Sequence, residues 1–357
     1  MIALGIETSC DETAAAIVEE TGDAQRPWRL RASVVASQVE LHREWGGIVP
    51  ELSARQHIRD ICTVVERAIA EAPTGGVPFD AIAVTQGPGL VGSLLVGLSF
   101  AKALAWARGV PLVPVHHLAG HIESLVLENG EMPLPAVVLV VSGGHTSLYR
   151  VSAPGSYELL GRTRDDAAGE AYDKVAKLLG LGYPGGPAID ARAARGHDRA
   201  VPLPKTRLTH ADRNAPHLPG HRDFSFSGLK TSVLRHVTLR RAALGFGERD
   251  PLPEAEIDDL CASFQRVVVE TLLDGLFEAA RWYGAQSVGL AGGVSANSRL
   301  RAESRARGER RGLPVFIPSL ALSTDNAAMI AAAGLRRYRE GKTAGWDLSA
   351  AASLPLA

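Results

Sequence analysis

Two histidines four residues apart, His117 and His121 in the run His117-Leu118-Ala119-Gly120-His121, are the feature most suited to chemistry. On a helix that spacing puts both imidazoles on one face, within reach of a single metal ion. Two ligands do not make a site, and the local sequence supplies no third; a pair of helix-surface histidines has the same spacing. A zinc peptidase of the H-E-x-x-H type needs a Glu beside its first histidine as general base. Here Leu118 occupies that place and no carboxylate lies between the histidines, so the spacing lacks that chemistry. Candidate carboxylates sit beside polar or glycine-rich turns: Asp11, Glu12, Asp173, Asp190 and Asp325. Asp325, directly before Asn326-Ala327-Ala328, also fits a helix cap.

The second chemical feature is a set of paired glycines, Gly87-Pro88-Gly89, Gly143-Gly144, Gly185-Gly186 and Gly292-Gly293. Any one of them serves as a turn. Several follow directly on apolar strands, where open α/β sheets present ligand sites and exposed backbone N–H groups suit phosphate. No GxxxxGK[ST] loop occurs, so a nucleotide would be held without a P-loop.

The elements that position these residues follow from the apolar pattern. Residues 2–6 read as a strand, Glu7 to Thr13 as a tight polar turn and Ala14 to Val18 as a second strand. Ala81 to Val84 is a buried strand running into Gly87-Pro88-Gly89, and Leu94 to Ala105 has helical spacing. Ala136 to Val141 is a β-branched run that breaks at Ser142-Gly143-Gly144-His145-Thr146 and resumes, repeating the strand, polar turn, strand pattern of the N-terminus. Ile257 to Trp282 reads as a helix, Ser287 to Ala291 as a strand, and Asn326 toward Arg337 as a last helix. Alternation of this kind predicts an α/β fold in which each of two lobes carries one copy of the hairpin. The segment 200–223, rich in Pro, His, Arg and Asp, reads as an exposed insertion.

A chain of 357 residues with 46% hydrophobic content suffices for two lobes with their own cores and excludes a disordered chain. The formal charge of −1 leaves no globally basic surface, although basic residues cluster locally: Arg199, Lys205, Arg207, Arg213, Arg222 and Lys230, then Arg299, Arg301 and Arg305. Three separated cysteines, Cys10, Cys62 and Cys261, give no disulfide framework, which suits a reducing compartment. No signal segment is legible and no run approaches the ~18 apolar residues of a membrane helix, so a cytoplasmic location without a membrane is expected.

Several ordered motifs carry a resemblance: Gly5-Ile6-Glu7-Thr8-Ser9-Cys10-Asp11-Glu12-Thr13, Gly46-Gly47-Ile48-Val49-Pro50-Glu51, His116-His117 through His121, Ser142-Gly143-Gly144-His145-Thr146, residues 165–174 (DDAAGEAYDK), residues 224–231 (FSFSGLKT), Ala291-Gly292-Gly293-Val294-Ser295-Ala296-Asn297 and Thr324-Asp325-Asn326. Across nearly the whole chain these resemble the TsaD (Gcp/YgjD) family, kin of the Kae-type proteins. The resemblance implies an actin-like, sugar-kinase-like (ASKHA) fold of two lobes with a nucleotide cleft between them. The lobes are expected at 1–133 and 134–325, with 326–357 packing back on the first. Departures are the stretch Pro202 to Asp223, longer than the common form, and the tail after Gly345, which matches nothing.

What the resemblance implies chemically is transfer of a threonylcarbamoyl group from threonylcarbamoyl-AMP to N6 of adenosine 37 in tRNAs reading codons that begin with A, in t6A biosynthesis. It implies a metal on His117, His121 and Asp325, and two imidazoles with one carboxylate suit either Fe(II) or Zn(II). Val140, Val141, Ser142, Gly143, Gly144, Asp173, Gly186, Asp190 and Asn297 match the positions that bind the adenylate, and the same place can take ATP or AMP. Asp11 or Glu12 would orient the attacking amine or accept its proton. Implied partners are tRNA, a catalytically inactive paralogous (TsaB-like) subunit and a small (TsaE-like) ATPase. The competing readings are an O-carbamoyltransferase or kinase on the same fold, a metalloprotease of the O-sialoglycoprotein endopeptidase type, and an idle nucleotide-binding scaffold.

Overall fold

The computed structural model describes residues 1–72, 79–206, 208, 210, 222–248 and 250–356. Most of the expected insertion, including Arg207 and Arg213, lies outside them. The chain divides into two compact units, one of residues 1–133, 153–157 and 316–357, the other of residues 134–152 and 158–315.

The first unit opens with β1 (Ile2–Glu7), β2 (Glu12–Glu20) and β3 (Trp28–Ser37), then α1 (Val39–Arg43), α2 (Pro50–Glu71), β4 (Ala81–Gly87), α3 (Val91–Arg108), β5 (Leu112–His116) and α4 (His117–Asn129). Its sheet has the order β3-β2-β1-β4-β5, antiparallel through β1–β2–β3 and parallel from β1 through β4 to β5. Alternate residues of a strand face opposite sides of the sheet. On one side Leu4, Ile6, Ile82 and Val84 join Ile61, Val65, Leu98 and Ala101 of α2 and α3. On the other, the small residues Ala3, Ala14 and Ala16 meet an alanine-rich helix from the chain's far end. The small residues let that returning helix lie against the sheet backbone: a Cβ on Gly5 would come 2.2 Å from Ala327 O.

The second unit contains β6 (Ala136–Val141), β7 (Thr146–Ala153), β8 (Ser156–Arg162), α5 (Ala168–Leu178), α6 (Gly185–Ala193), α7 (Ser227–Leu244), α8 (Glu254–Trp282), β9 (Ser287–Ala291), α9 (Ser298–Arg311) and β10 (Val315–Phe316). A single 3-10 turn, Gly293–Ala296, leads from β9 into α9. The sheet order β10-β9-β6-β7-β8, read from β8, is that of the first sheet with each strand replaced by its counterpart, and β6 again pairs antiparallel with the next strand and parallel with a later one. The repeated strand, polar turn, strand pattern is therefore a repeated topology.

The chain then returns through α10 (Leu320–Ser323) and α11 (Ala327–Arg339) to the first unit. This return begins at Phe316, earlier than the boundary expected after residue 325, because the segment before α11 is tied to α4: Ser319 N–H donates to Glu128 Oε2 (3.1 Å) and Asn129 Nδ2 to Ile317 O (3.4 Å). One expectation needs correction. Among the described residues α3 is long and apolar enough by length and composition to cross a membrane, with a mean hydropathy of 1.2 over its 18 residues. Its inner face, Leu94, Leu98, Ala101 and Ala105, is buried in the first unit, as suits the core helix of an α/β unit.

Candidate metal centre and ligand loops

The strand β5 delivers the chain directly into α4, so His117 and His121 occupy the first and fifth positions of a helix, one turn apart and both buried. Their rings meet edge to face with centroids 4.7 Å apart. The third group comes from the end of the chain. Helix α11 crosses α4 where Gly120 stands between the histidines; a Cβ there would lie 2.8 Å from Ile330 Cδ1 and 3.1 Å from Met329 Cγ, so a larger residue would have to push those side chains aside. Asn326 caps α11, its Oδ1 accepting from Met329 N–H (2.9 Å). The capping role is thus Asn326's, and the carboxylate of Asp325 turns to the histidines, with Oδ1 at 3.2 Å from His121 Nε2 and 3.5 Å from His117 Nε2.

The ligand atoms of His117, His121 and Asp325 lie within 4.8 Å of one another. His121 is completely buried, yet neither ring nitrogen makes a hydrogen bond among the described residues: the Asp325 oxygen is near Nε2 but lies off the donor direction. A buried imidazole left in that state is costly unless its lone pair has another use. Burial, reinforced by the neighbouring His117, lowers the His121 pKa and keeps it neutral, the form that ligates a metal. Two imidazoles and one carboxylate therefore fit a divalent transition metal.

Glu7, at the end of β1, backs this cluster. Its side chain is fully buried; Oε2 accepts from Thr85 Oγ1 (2.6 Å) and faces His117 Nδ1 at 3.2 Å, while Oε1 accepts from Ser9 N–H. Ser9 Oγ is also 3.2 Å from His117 Nδ1. A carboxylate on the outer nitrogen of a ligating histidine fixes tautomer and ring direction. Burial alone would raise the Glu7 pKa, but His117 and the Thr85 hydroxyl outweigh it and hold it below its ordinary value. Burial likewise opposes a charge on His117, yet Asp325 and Glu7 on its two sides raise it to about 9. The place between these carboxylates favours positive charge. The residues alone do not single out Glu7, Ser9 and Thr85; their signal is an acid that closes the otherwise apolar strand β1.

Asp11 is buried and Glu12 half-buried in the turn between β1 and β2. Burial first, then the charges of Asp11 and Asp325, push the Glu12 carboxyl well above its ordinary value. Metalloprotease chemistry gains nothing here: Glu123, the nearest acid after His121 on α4, is occupied by Arg336 (Nε to Oε2, 2.9 Å) and Trp28 Nε1.

The remaining candidates gather in the second unit. Gly143 and Gly144 are exposed at the turn after β6, and Gly169 N–H at the start of α5 donates to Ser142 O (3.1 Å). No atom lies within 4 Å of a Cβ built on Gly143, Gly144 or Gly186, so all three border open space. Asp173 Oδ1 accepts from Gly185 N–H (2.7 Å), pinning the start of α6. Asp190 is bound by Gln265 Nε2 (2.9 Å), Asn297 Nδ2 (3.2 Å) and both donors of Ser298 (N–H 3.0 Å, Oγ 2.8 Å). Asn297 itself caps α9 through Leu300 N–H (2.9 Å).

Three assignments change with this geometry. Val140 and Val141 are 0% exposed strand residues packed into the sheet, so they support the turn and present no side chain to a ligand. Ser142 N–H is taken by His145 O (2.8 Å), so of this turn's amides those of Gly143 and Gly144 are the candidates for an anion. Several basic candidates are already paired: Lys205 with Asp274, Lys230 with Asp166, Arg299 with Asp198 and Glu303. Arg222 is buried against Trp282 and Tyr283. Neighbouring carboxylates neutralise much of this basic surface, whereas Arg199 is exposed.

Among solved structures, HypF of T. kodakarensis matches 97% of this chain and 49% of its own at a TM-score of 0.58 and 16% identity. Component A of the (R)-2-hydroxyglutaryl-CoA dehydratase of Acidaminococcus fermentans matches 95% of this chain and 98% of its own at 0.51 and 15%. Fold and site together define an α/β chain of the actin-like, sugar-kinase-like (ASKHA) class with a His–His–Asp cluster. A family model described as tRNA N6-adenosine threonylcarbamoyltransferase matches residues 29–332. Relatives with the same description are 50% identical over 349 residues in Anaeromyxobacter dehalogenans strain 2CP-C, 97% of each chain, and 47% identical over 356 residues in Thermodesulfovibrio yellowstonii, 100% of each. The chain belongs to the TsaD family of tRNA N6-adenosine threonylcarbamoyltransferases.

Proposed function

We propose that this chain transfers the threonylcarbamoyl group of threonylcarbamoyl-AMP to N6 of adenosine 37 in tRNA, with His117, His121 and Asp325 as ligands of one Fe(II) or Zn(II). Identity of about half the residues over nearly the whole chain supports the reaction. The observation that carries the metal is His121, wholly buried with both ring nitrogens lacking a hydrogen bond among the described residues, beside a second imidazole and a carboxylate.

In the reaction the N6 nitrogen forms a bond to the carbamoyl carbon, the bond from that carbon to the phosphate oxygen breaks, AMP leaves and N6 gives up one proton. A metal bound by the three ligands would supply Lewis-acid polarisation and orientation of the donor. The amides of Gly143 and Gly144 would hold phosphate oxygens, Asp173 and Asp190 fix the starts of α6 and α9, and Asn297, bonded to Asp190 and capping α9, would support the adenosine side from behind. Asp11 or Glu12, in the turn between β1 and β2, would orient the attacking amine or accept its proton. Exposed apolar side chains on neighbouring helices, Ile58 of α2 with Val91 and Leu95 of α3, support a protein partner, the inactive paralogous subunit. The small ATPase and tRNA complete the assembly, in the cytoplasm. The test of the metal is elemental analysis of purified protein: one equivalent in the wild type and less than a tenth in His121→Ala is expected, whereas unchanged content in the variant would remove the assignment.

A further inference from the structure

The tail that follows α11, for which the sequence offers neither period nor motif, comes back to the metal helix. Ala344 N–H donates to Leu112 O (2.9 Å), and Leu348 and Ala350 pack on the core beneath the first sheet. The chain then follows the loop after β4: Ala351 N–H donates to Gln86 O (2.9 Å), Gln86 Nε2 to Ser349 O (3.3 Å) and Gly89 N–H to Ala352 O (3.2 Å). It reaches Leu354, whose carbonyl lies 2.9 Å from His116 Nε2. His116 is the residue before the ligand His117 and the N-cap of α4, its Nδ1 accepting from Leu118 N–H (3.1 Å). An imidazole that accepts at Nδ1 carries its proton at Nε2, and the Leu354 carbonyl is the acceptor that keeps it there.

We propose that residues 349–354 are a strap and His116 a positioning residue, and that together they hold the first turn of α4, and so the ligand His117, in the geometry metal binding requires. Among the described residues, the strap's hydrogen bonds to the loop and to His116 all use strap backbone, so its sequence need carry no signature. The place it occupies is marked on the other side: a Cβ at Gly87 would lie 2.0 Å from Ala351 O, so any larger residue there displaces the strap. The inference rests on His117, His121 and Asp325 being metal ligands.

The test is Zn2+ affinity of metal-free full-length protein, measured by competition with a chromophoric chelator alongside far-UV circular dichroism. Ending the chain at Ala350, His116→Ala and Gly87→Ala should each weaken Zn2+ binding about fivefold to tenfold with the fold kept, the size of a lost helix cap. Truncation combined with His116→Ala should be no worse than either alone, since both break one chain of contacts. His116→Asn, whose amide oxygen caps without help from Leu354, should retain affinity and make truncation cost less than about twofold. Should the truncated chain not fold, the His116→Ala and Gly87→Ala variants still decide. Affinity within about twofold of wild type in both, or additive losses in the combined variant, would overturn the strap. Retention of Zn2+ by His121→Ala would instead refute the metal assignment, and the strap with it.

Discussion

Replacing Glu7 by Gln should weaken Zn2+ binding at the histidine pair about 10- to 100-fold, or about 1.4–2.7 kcal/mol, the usual effect of losing a partner behind a ligating imidazole. Gln preserves the size of a side chain with no solvent exposure, so the perturbation is one of hydrogen-bond direction. If the amide oxygen stays on Ser9 N–H, the NH2 replaces Oε2 and points a donor at His117 Nδ1, 3.2 Å from the present oxygen. His117 must then accept at Nδ1 and carry its proton on Nε2, the nitrogen facing Asp325, which removes the lone pair a metal needs. If the amide flips, a donor opposes Ser9 N–H instead, leaving a buried group unpaired at a cost of about 1–3 kcal/mol. Both outcomes weaken the site. The assay is chelator competition on metal-free protein, with thermal unfolding to show that the fold survives. Affinity within about twofold of wild type in a folded variant would refute the claim that Glu7 sets the tautomer.

Gly144→Trp should abolish AMP binding measured by calorimetry while leaving the unfolding temperature nearly unchanged, because the position borders open space; wild-type affinity would remove the turn after β6 from the phosphate site. Asp166 is one contributor to the acid limb of stability. Burial would raise its carboxyl, but the ammonium groups of Lys174 and Lys230, at 2.8 and 2.9 Å, outweigh it and hold it below its ordinary value. A lowered folded pKa means that the unfolded chain binds the proton more readily, so the stabilisation is present above about pH 4 and lost as pH falls through the folded value. Asp166→Asn should therefore flatten the fall in unfolding temperature between about pH 4 and pH 2, and parallel curves would contradict the pairing.

Elements with uninterrupted buried runs are legible to the residue: 136–141 and 287–291 are strands because runs of five or six small or apolar residues, here AVVLVV and SVGLA, can be buried end to end only between layers. The His117 and His121 pair was legible because its spacing is a property of one helix. Asp325 was not, since it depends on α11 docking against Gly120, a contact between the ends of the first unit that no local pattern records. Glu7 was missed because an acid after an apolar strand ordinarily marks the strand's exit to water, and only the fold buries it against Thr85 and His117. Resemblance to a family carried Val140 and Val141 into the candidate site, where their burial in β6 limits them to support. The basic residues looked like a tRNA surface for a related reason: charge is visible in the sequence, and the carboxylates that pair with Lys205, Lys230 and Arg299 lie mostly far off along the chain.

A His–His–Asp centre is proposed to serve threonylcarbamoyl transfer to tRNA. The most direct measurement of that role is mass spectrometry of nucleosides from unmodified tRNA incubated with this protein, threonylcarbamoyl-AMP and the two partner proteins. Threonylcarbamoyladenosine should form with the wild type and be lost in His121→Ala and Asp325→Ala variants that stay folded. Full conversion by those variants, or none by the metal-loaded wild type with every component present, would contradict it.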